Sequence, residues 1–396
     1  MKKIVFESLV LALALGLAWS DVEIFRAEYH FQKGEDKKGR PDYAGALEQY
    51  EMAAAILPDR YSYQRAVGKT SYKLYDPGSG NLRPLYQSYE AYQRVLALDP
   101  HYPYGWFEMA DVLDEFERAK VSGLDSPEPY FRRALEIDPS NPRFLAGLLD
   151  WKLRHGQNEA AWGLFLELIR SYPYAVVKIG PAMLKTDRDF ARLGREIDVG
   201  GPAAIEYAKY LVRVRRMEEA QGLLTRLEGQ KAARLVVAGL MSDVYMSRGE
   251  TAKARETLSN ALAAAPGDLA LNSRLVKVFM KERDDEGAIA VYKKAFTYHP
   301  GRWELASAAA GLAMKIGHDD EAIDLFTQAL DTGKPDANTK KRIYELRAKL
   351  RAKRHDFGGA IADYEKILDL DPDNENAIHA IKKVKIEMEY AGHSGR

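Results

Sequence analysis

The sequence predicts an all-α fold, a solenoid of stacked helical hairpins, on three observations. A small residue recurs with an aromatic residue or leucine four positions later and a proline twelve positions after the small one. The recurrences hold a spacing of 34, as in Ala220, Ala254, Ala288 and Ala322, and in Pro139 to Pro173 and Pro266 to Pro300. Before each such stretch lies another amphipathic stretch, often ended by glycine. A period of this length marks units that bury their apolar faces only by stacking on neighbours.

The full pattern appears at Ala46/Tyr50/Pro58, Ser88/Tyr92/Pro100, Ala161/Phe165/Pro173, Ala254/Leu258/Pro266, Ala288/Tyr292/Pro300 and Ala360/Tyr364/Pro372. Pro127/Phe131/Pro139 keeps the spacing with proline in the small slot, Ala322/Phe326 has its proline one residue late, and Ala220/Leu224 lacks it. Each position has a physical role in a hairpin. The small residue lets two helices approach, and the aromatic side chain one turn on fills the adjoining gap. The proline stops the second helix and sets the turn into the next unit. Gly156, Gly249 and Gly317 each precede the small residue by five, where the first helix must end.

These residues resemble the tetratricopeptide repeat, whose signature is W-x2-L-G-x2-Y, then A-x3-F, then P. "ALEQYEMAAAILPD", "YFRRALEIDPSNP", "AIAVYKKAFTYHP" and "AIADYEKILDLDPDN" match its second helix and turn. The first-helix signature is thinner: Trp106 holds its Trp, and Gly34 and Gly68 hold its Gly. Nine units are expected between about Val22 and Asn374. Departures from the period mark insertions, at the turn-forming stretch Asp76–Pro84 and around Val121–Pro129. The expected organisation is an N-terminal segment 1–20, an array over 21–173, an irregular or degenerate repeat over 174–201, a second array over 202–374, and a capping helix and tail over 375–396.

Residues 1–20 read as an address. Lys2 and Lys3 precede a nearly unbroken apolar run from Ser8 to Trp19, and Ala18-Trp19-Ser20 offers small residues around a cleavage point. The run is shorter than a full membrane span. A cleaved signal peptide, an uncleaved anchor and a buried first helix of the main fold all fit, and either export reading places the body in the bacterial periplasm, soluble or held at the inner membrane.

Composition excludes several classes. In 396 residues, 58 Lys+Arg balance 58 Asp+Glu, so no net charge points to nucleic acid. There is no cysteine, which removes thiol catalysis, disulfides and Cys-held metals. None of the eight histidines has another four residues on. Gly68-Lys69-Thr70 lacks the upstream glycine of a phosphate-binding loop, and Asp369, Asp371 and Asp373 lack the glycine and glutamate of a calcium loop. No catalytic site, metal or cofactor is expected, and the chain reads as a non-enzyme.

Two features bear on binding. The chain has 23 tyrosines, dense around Tyr61 and Tyr63, which either fill repeat cores or stack on sugars. The basic run Lys340–Arg354 reads mostly as a solvated helix face. The resemblance implies a right-handed superhelical solenoid whose concave groove, lined by first helices, takes a partner's peptide or helix. By repeat register it would present Arg65, Lys69, Phe107, Asp111, Ser273 and Lys277, with Tyr61 and Tyr63 beside it. The expected function is a protein-binding scaffold of the cell envelope in an export, polysaccharide or pilus machine. The alternative is a glycan-binding protein using the N-terminal tyrosines.

Overall fold

The computed structural model describes the backbone of residues 2–332 and 334–394, with side chains described for 21–186, 188–332 and 334–391. Every regular element among them is a helix, and the chain divides into two units, one through Met183 and one from Leu184.

The first unit holds α1 (Lys2–Gly39), α2 (Tyr43–Ile56), α3 (Tyr61–Leu74), α4 (Arg83–Leu98), α5 (Pro103–Arg118), α6 (Pro127–Ile137), α7 (Pro142–Arg154) and α8 (Asn158–Ser171), then two single turns, α9 (Ala175–Lys178) and α10 (Gly180–Met183). Consecutive helices pair as hairpins α1/α2, α3/α4, α5/α6 and α7/α8. The insertions fall between hairpin partners, in the loops before Arg83 and before Pro127.

The second unit opens with α11 (Asp187–Glu196). The hairpins follow as α12 (Pro202–Arg213) with α13 (Met217–Leu227), α14 (Arg234–Ser247) with α15 (Thr251–Ala264), and α16 (Leu269–Glu282) with α17 (Asp285–Tyr298). They continue as α18 (Trp303–Lys315) with α19 (Asp319–Thr332) and α20 (Ala337–Lys353) with α21 (Phe357–Leu370), and α22 (Glu375–Ser394) packs on the last.

The small residues lie where helices touch. Ala46, Ser88, Ala161, Ala220, Ala254, Ala288, Ala322 and Ala360 are all fully buried. In the first two hairpins the aromatic residue beyond the small one, Tyr50 and Tyr92, packs over a glycine of the first helix. A Cβ on Gly34 would lie 2.5 Å from the Tyr50 ring, and one on Gly68 would lie 3.1 Å from Tyr92. Glycine there admits a ring whose burial contributes about 1.5–3 kcal/mol, more than the roughly 1 kcal/mol glycine costs within a helix.

The hairpin corners share one backbone device. The residue five before the small one has positive φ in six of them: Gly156, Arg215, Gly249, Arg283, Gly317 and His355. In each, the following N–H reaches the carbonyl five residues back, as from Glu250 to Tyr245 and from Asp284 to Phe279, both at 2.9 Å. This is the Schellman closure of a helix on a left-handed residue.

α1 runs without a break from Lys2 through position 20 to Gly39. The side chains of 2–20, on which the signal-peptide or anchor expectation falls, lie outside the described residues. No helix among the described residues is long and apolar enough to cross a membrane.

Candidate functional site: the first-helix face

In the first unit the first helices α3, α5 and α7 touch in succession, and charged side chains bridge them. Arg65 on α3 donates from Nε and Nη2 to both carboxylate oxygens of Glu108 on α5, at 2.8 and 2.6 Å. Glu108 is buried, and this paired, charge-assisted geometry satisfies it. The bond to Glu108 raises the Arg65 pKa above its ordinary value, outweighing the burial that opposes it. Arg154 on α7 reaches Asp114 on α5 at 2.8 Å, and Asp114 also accepts from Arg118. Trp151 on α7 and His155 just beyond its end both donate to Glu117.

Asp111 is the exception on this face. It makes no hydrogen bond among the described residues, and its nearest cation, Arg143 on α7, is 4.0 Å away. Burial pushes its carboxyl up to about 7, Arg143 opposes that, and the neighbouring Asp114 and Glu108 reinforce it. Lys69 on α3 is exposed and near enough to Glu35 on α1 to help hold that carboxyl below its usual range.

At the N-terminal ends of α3, α5 and α7 lies an aromatic ledge. Tyr61 and Tyr102 have ring centroids 5.1 Å apart, Tyr102 and Tyr104 5.9 Å, and Tyr104 and Phe144 5.0 Å. The Arg65 guanidinium lies over Tyr102 and Tyr104, at 5.3 and 5.7 Å, so the ledge and the charge ladder share one residue.

Two expected site residues are core instead. Phe107 is 3% exposed, stacked on Phe144 and covered by the Arg143 guanidinium, so no partner reaches it. Tyr63 is 1% exposed and donates its hydroxyl to Glu28 on α1 at 2.9 Å, which makes it a packing residue. One-residue errors in register decide this, since adjacent helical positions lie about 100° apart. Arg65, Lys69, Asp111 and Tyr61 do share the first-helix side of the first unit. Ser273 and Lys277 lie exposed on α16 of the second unit. There Ser273 borders a hollow of about 270 Å³ with Asn272, Tyr292 and Arg302.

The basic run is also corrected. Arg347 is buried, donates to both oxygens of Asp363 at 2.9 and 2.5 Å, and reaches Thr327 at 2.8 Å. Arg351 adds a third bond to Asp363, Lys353 pairs with Asp319, and Arg354 pairs with Asp320. Much of the run is therefore inter-helix wiring. Lys69 lies within α3, not at a loop, and Asp371 accepts from Asn374 and Lys341 in an inter-repeat turn. Among the described residues no three His or acidic groups gather as metal ligands.

Sequence reasoning passed over Glu108, Arg143 and Glu117. A scan for complementary residues one period apart finds part of the wiring, because Glu117 and Trp151, like Asp320 and Arg354, are separated by 34. The Arg65–Glu108 pair escapes such a scan because an insertion stretches its separation to 43.

Among the described residues, nine hairpins, a fully buried small residue in eight of them, and six identical corners set the repeat type. The chain is a tetratricopeptide-repeat solenoid. No protein-family model matches it. Over 283 residues, 66% of this chain, the solenoid is 24% identical to cellulose synthase operon protein C of Pseudomonas fluorescens (strain SBW25), and the match spans 22% of that relative's length. Among solved structures it is similar to YrrB, described as a TPR protein with an unusual peptide-binding site. Identity there is 19%, over 49% of this chain and 97% of that one, with a TM-score of 0.35. The Cut9–Hcn1 hetero-tetramer of the APC/C matches 94% of this chain and 92% of its own at 11% identity and a TM-score of 0.33.

Proposed function

We propose that this protein is a non-catalytic scaffold of the bacterial cell envelope that holds a partner's extended peptide or helix on the first-helix face of its first unit. The observation that carries the reading is the state of that face. Its scaffold charges are locked in pairs across α3, α5 and α7, while Lys69 is left exposed and Asp111 without a hydrogen bond. Pre-paired walls with a few free polar groups suit peptide recognition, because little ordering remains to be done on binding. The N-terminal segment, read as a signal peptide or anchor, supports a periplasmic setting. The name of the Pseudomonas relative supports a polysaccharide machine over the pilus and secretion settings.

The test is site-specific photocrosslinking in native cells, with the reactive group at position 69 or 111 and a control at the exposed Arg94 of second helix α4. Envelope proteins crosslinked from 69 and 111 but not from 94 are expected. Crosslinks confined to position 94 would move the site to the other helices and overturn the reading.

A second reading, direct glycan binding, is favoured by the ledge Tyr61–Tyr102–Tyr104, whose spacing suits stacking on sugar rings. Oligosaccharide should then change tyrosine fluorescence, with the change lost in Tyr61→Ala. An unchanged signal at millimolar glycan dismisses it.

A further inference from the structure

Helix α1 changes character along its length. In sequence, Ser8 to Trp19 is apolar all round. From Ala27 onward the helix buries one face against α2, through Ala27, Phe31 and Gly34. Between these stretches Val22, Phe25 and Tyr29 are 53, 73 and 56% exposed. At about 100° per residue these three lie together, roughly 180° from the face that meets α2. The stripe ends at Lys33, whose ammonium sits 5.9 Å from the Tyr29 ring, and Asp36 follows on the same side. α2 has 14 residues against 38 in α1, so it pairs with less than half of that helix.

We propose that the stripe Val22–Phe25–Tyr29 lies in the interface of a phospholipid bilayer, where α1 emerges from the membrane and carries the first unit. The inference rests on the anchored form of the reading above. The graded sequence argues for lipid as the occupant. An all-round apolar helix, then a stripe of Val22, Phe25 and Tyr29 beside the Glu23–Arg26 pair, with Ile24 exposed off the stripe, then a lysine, follows the polarity profile from acyl chains through the interface to the headgroups. Lys33 sets its stem along Tyr29 and its charge toward anionic headgroups. A partner protein would have no reason to match a stripe that begins where the apolar run ends and fades within two turns. Because α1 is unbroken from Lys2 to Gly39, this contact fixes the angle at which the first hairpin leaves the membrane.

The chain contains no cysteine, so single labels are clean. Full-length Leu13→Cys, Phe25→Cys, Tyr29→Cys and Asp36→Cys would each carry an environment-sensitive dye and be mixed with phosphatidylethanolamine–phosphatidylglycerol vesicles. The expected result is a blue shift and several-fold intensity gain at 13 and 25, a smaller gain at 29 and none at 36. Headgroup-proximal spin-labelled lipid should quench 25 best. A lipid signal at 13 with solvent-like emission at 25 and 29 overturns the inference and leaves the anchor standing. Solvent-like emission at both 13 and 25 overturns both. A blue shift at 25 that depends on protein concentration without vesicles assigns the stripe to a second copy and overturns the lipid assignment.

Discussion

Asp111 shows how one residue couples a binding face to pH. Its carboxyl rises to about 7 because α5 and α7 take it out of water without supplying a hydrogen bond. In the unfolded chain the same group titrates near 3.9. Between these values the folded state binds more protons than the unfolded one, so stability falls as pH rises from about 4 to about 7 and is flat above. The side chain is 32% exposed, and solvent screening brings the penalty at pH 8 to about 1–2 kcal/mol. Asp111→Asn should therefore raise the unfolding free energy from urea titration at pH 8 by that amount and leave it unchanged at pH 4. Equal effects at both pH values would assign the gain to packing instead of charge. A ligand that supplies a cation to Asp111 would lower its pKa, release a proton and bind more tightly as pH rises through 7.

At the scale of the hairpin, the left-handed corner recurs in six of the nine described hairpins while its residue type varies. Gly156, Gly249 and Gly317 announce the left-handed position, whereas Arg215, Arg283 and His355 adopt it with a Cβ in place. Arg283 is exposed, with φ 60° and ψ 28°, and forms no ion pair among the described residues, so its side chain contributes nothing that offsets the backbone strain. Arg283→Gly should stabilise the protein by about 0.5–1 kcal/mol, the left-handed penalty less the entropy glycine adds to the unfolded chain. Gly249→Ala should cost about 1 kcal/mol. Thermal unfolding of the two variants checks the sign, and a destabilised Arg283→Gly would sink the argument. The same contrast shows what sequence can carry. The small residue, the aromatic and the proline are legible because each is forced by a contact, such as Gly34 against Tyr50. The corner is only half legible, because about 1 kcal/mol is too little to exclude other residues. The face was read partly wrong, at Phe107 and Tyr63, because thin first-helix signatures leave rotational register to be guessed.

Across a whole unit, stacked hairpins should share stability only with their neighbours, and the buried charge cluster of the second unit offers a way to see this. Asp363 is 2% exposed and accepts from both Arg347 and Arg351, and Arg347 also bonds Thr327, so one carboxylate joins α19, α20 and α21. Asp363→Ala leaves a buried guanidinium without its counter-ion, a change that costs about 3–5 kcal/mol. If stability is a sum of local terms, amide exchange should accelerate in α19 through α22 and keep its original rate in α12 through α15. Acceleration of equal size from α12 to α22 would instead mean that the second unit opens as a single cooperative block. The paired replacement Asp363→Leu with Arg347→Met separates charge from connectivity. It should recover much of the loss, since an apolar pair of similar volume removes the buried Arg347 charge along with Asp363, while Arg351, which loses its bond to Asp363, keeps the Gly359 carbonyl and Asp356. Recovery together with restored slow exchange in α19 would assign the cluster's role to registering neighbouring hairpins, a task that packing alone then performs equally well.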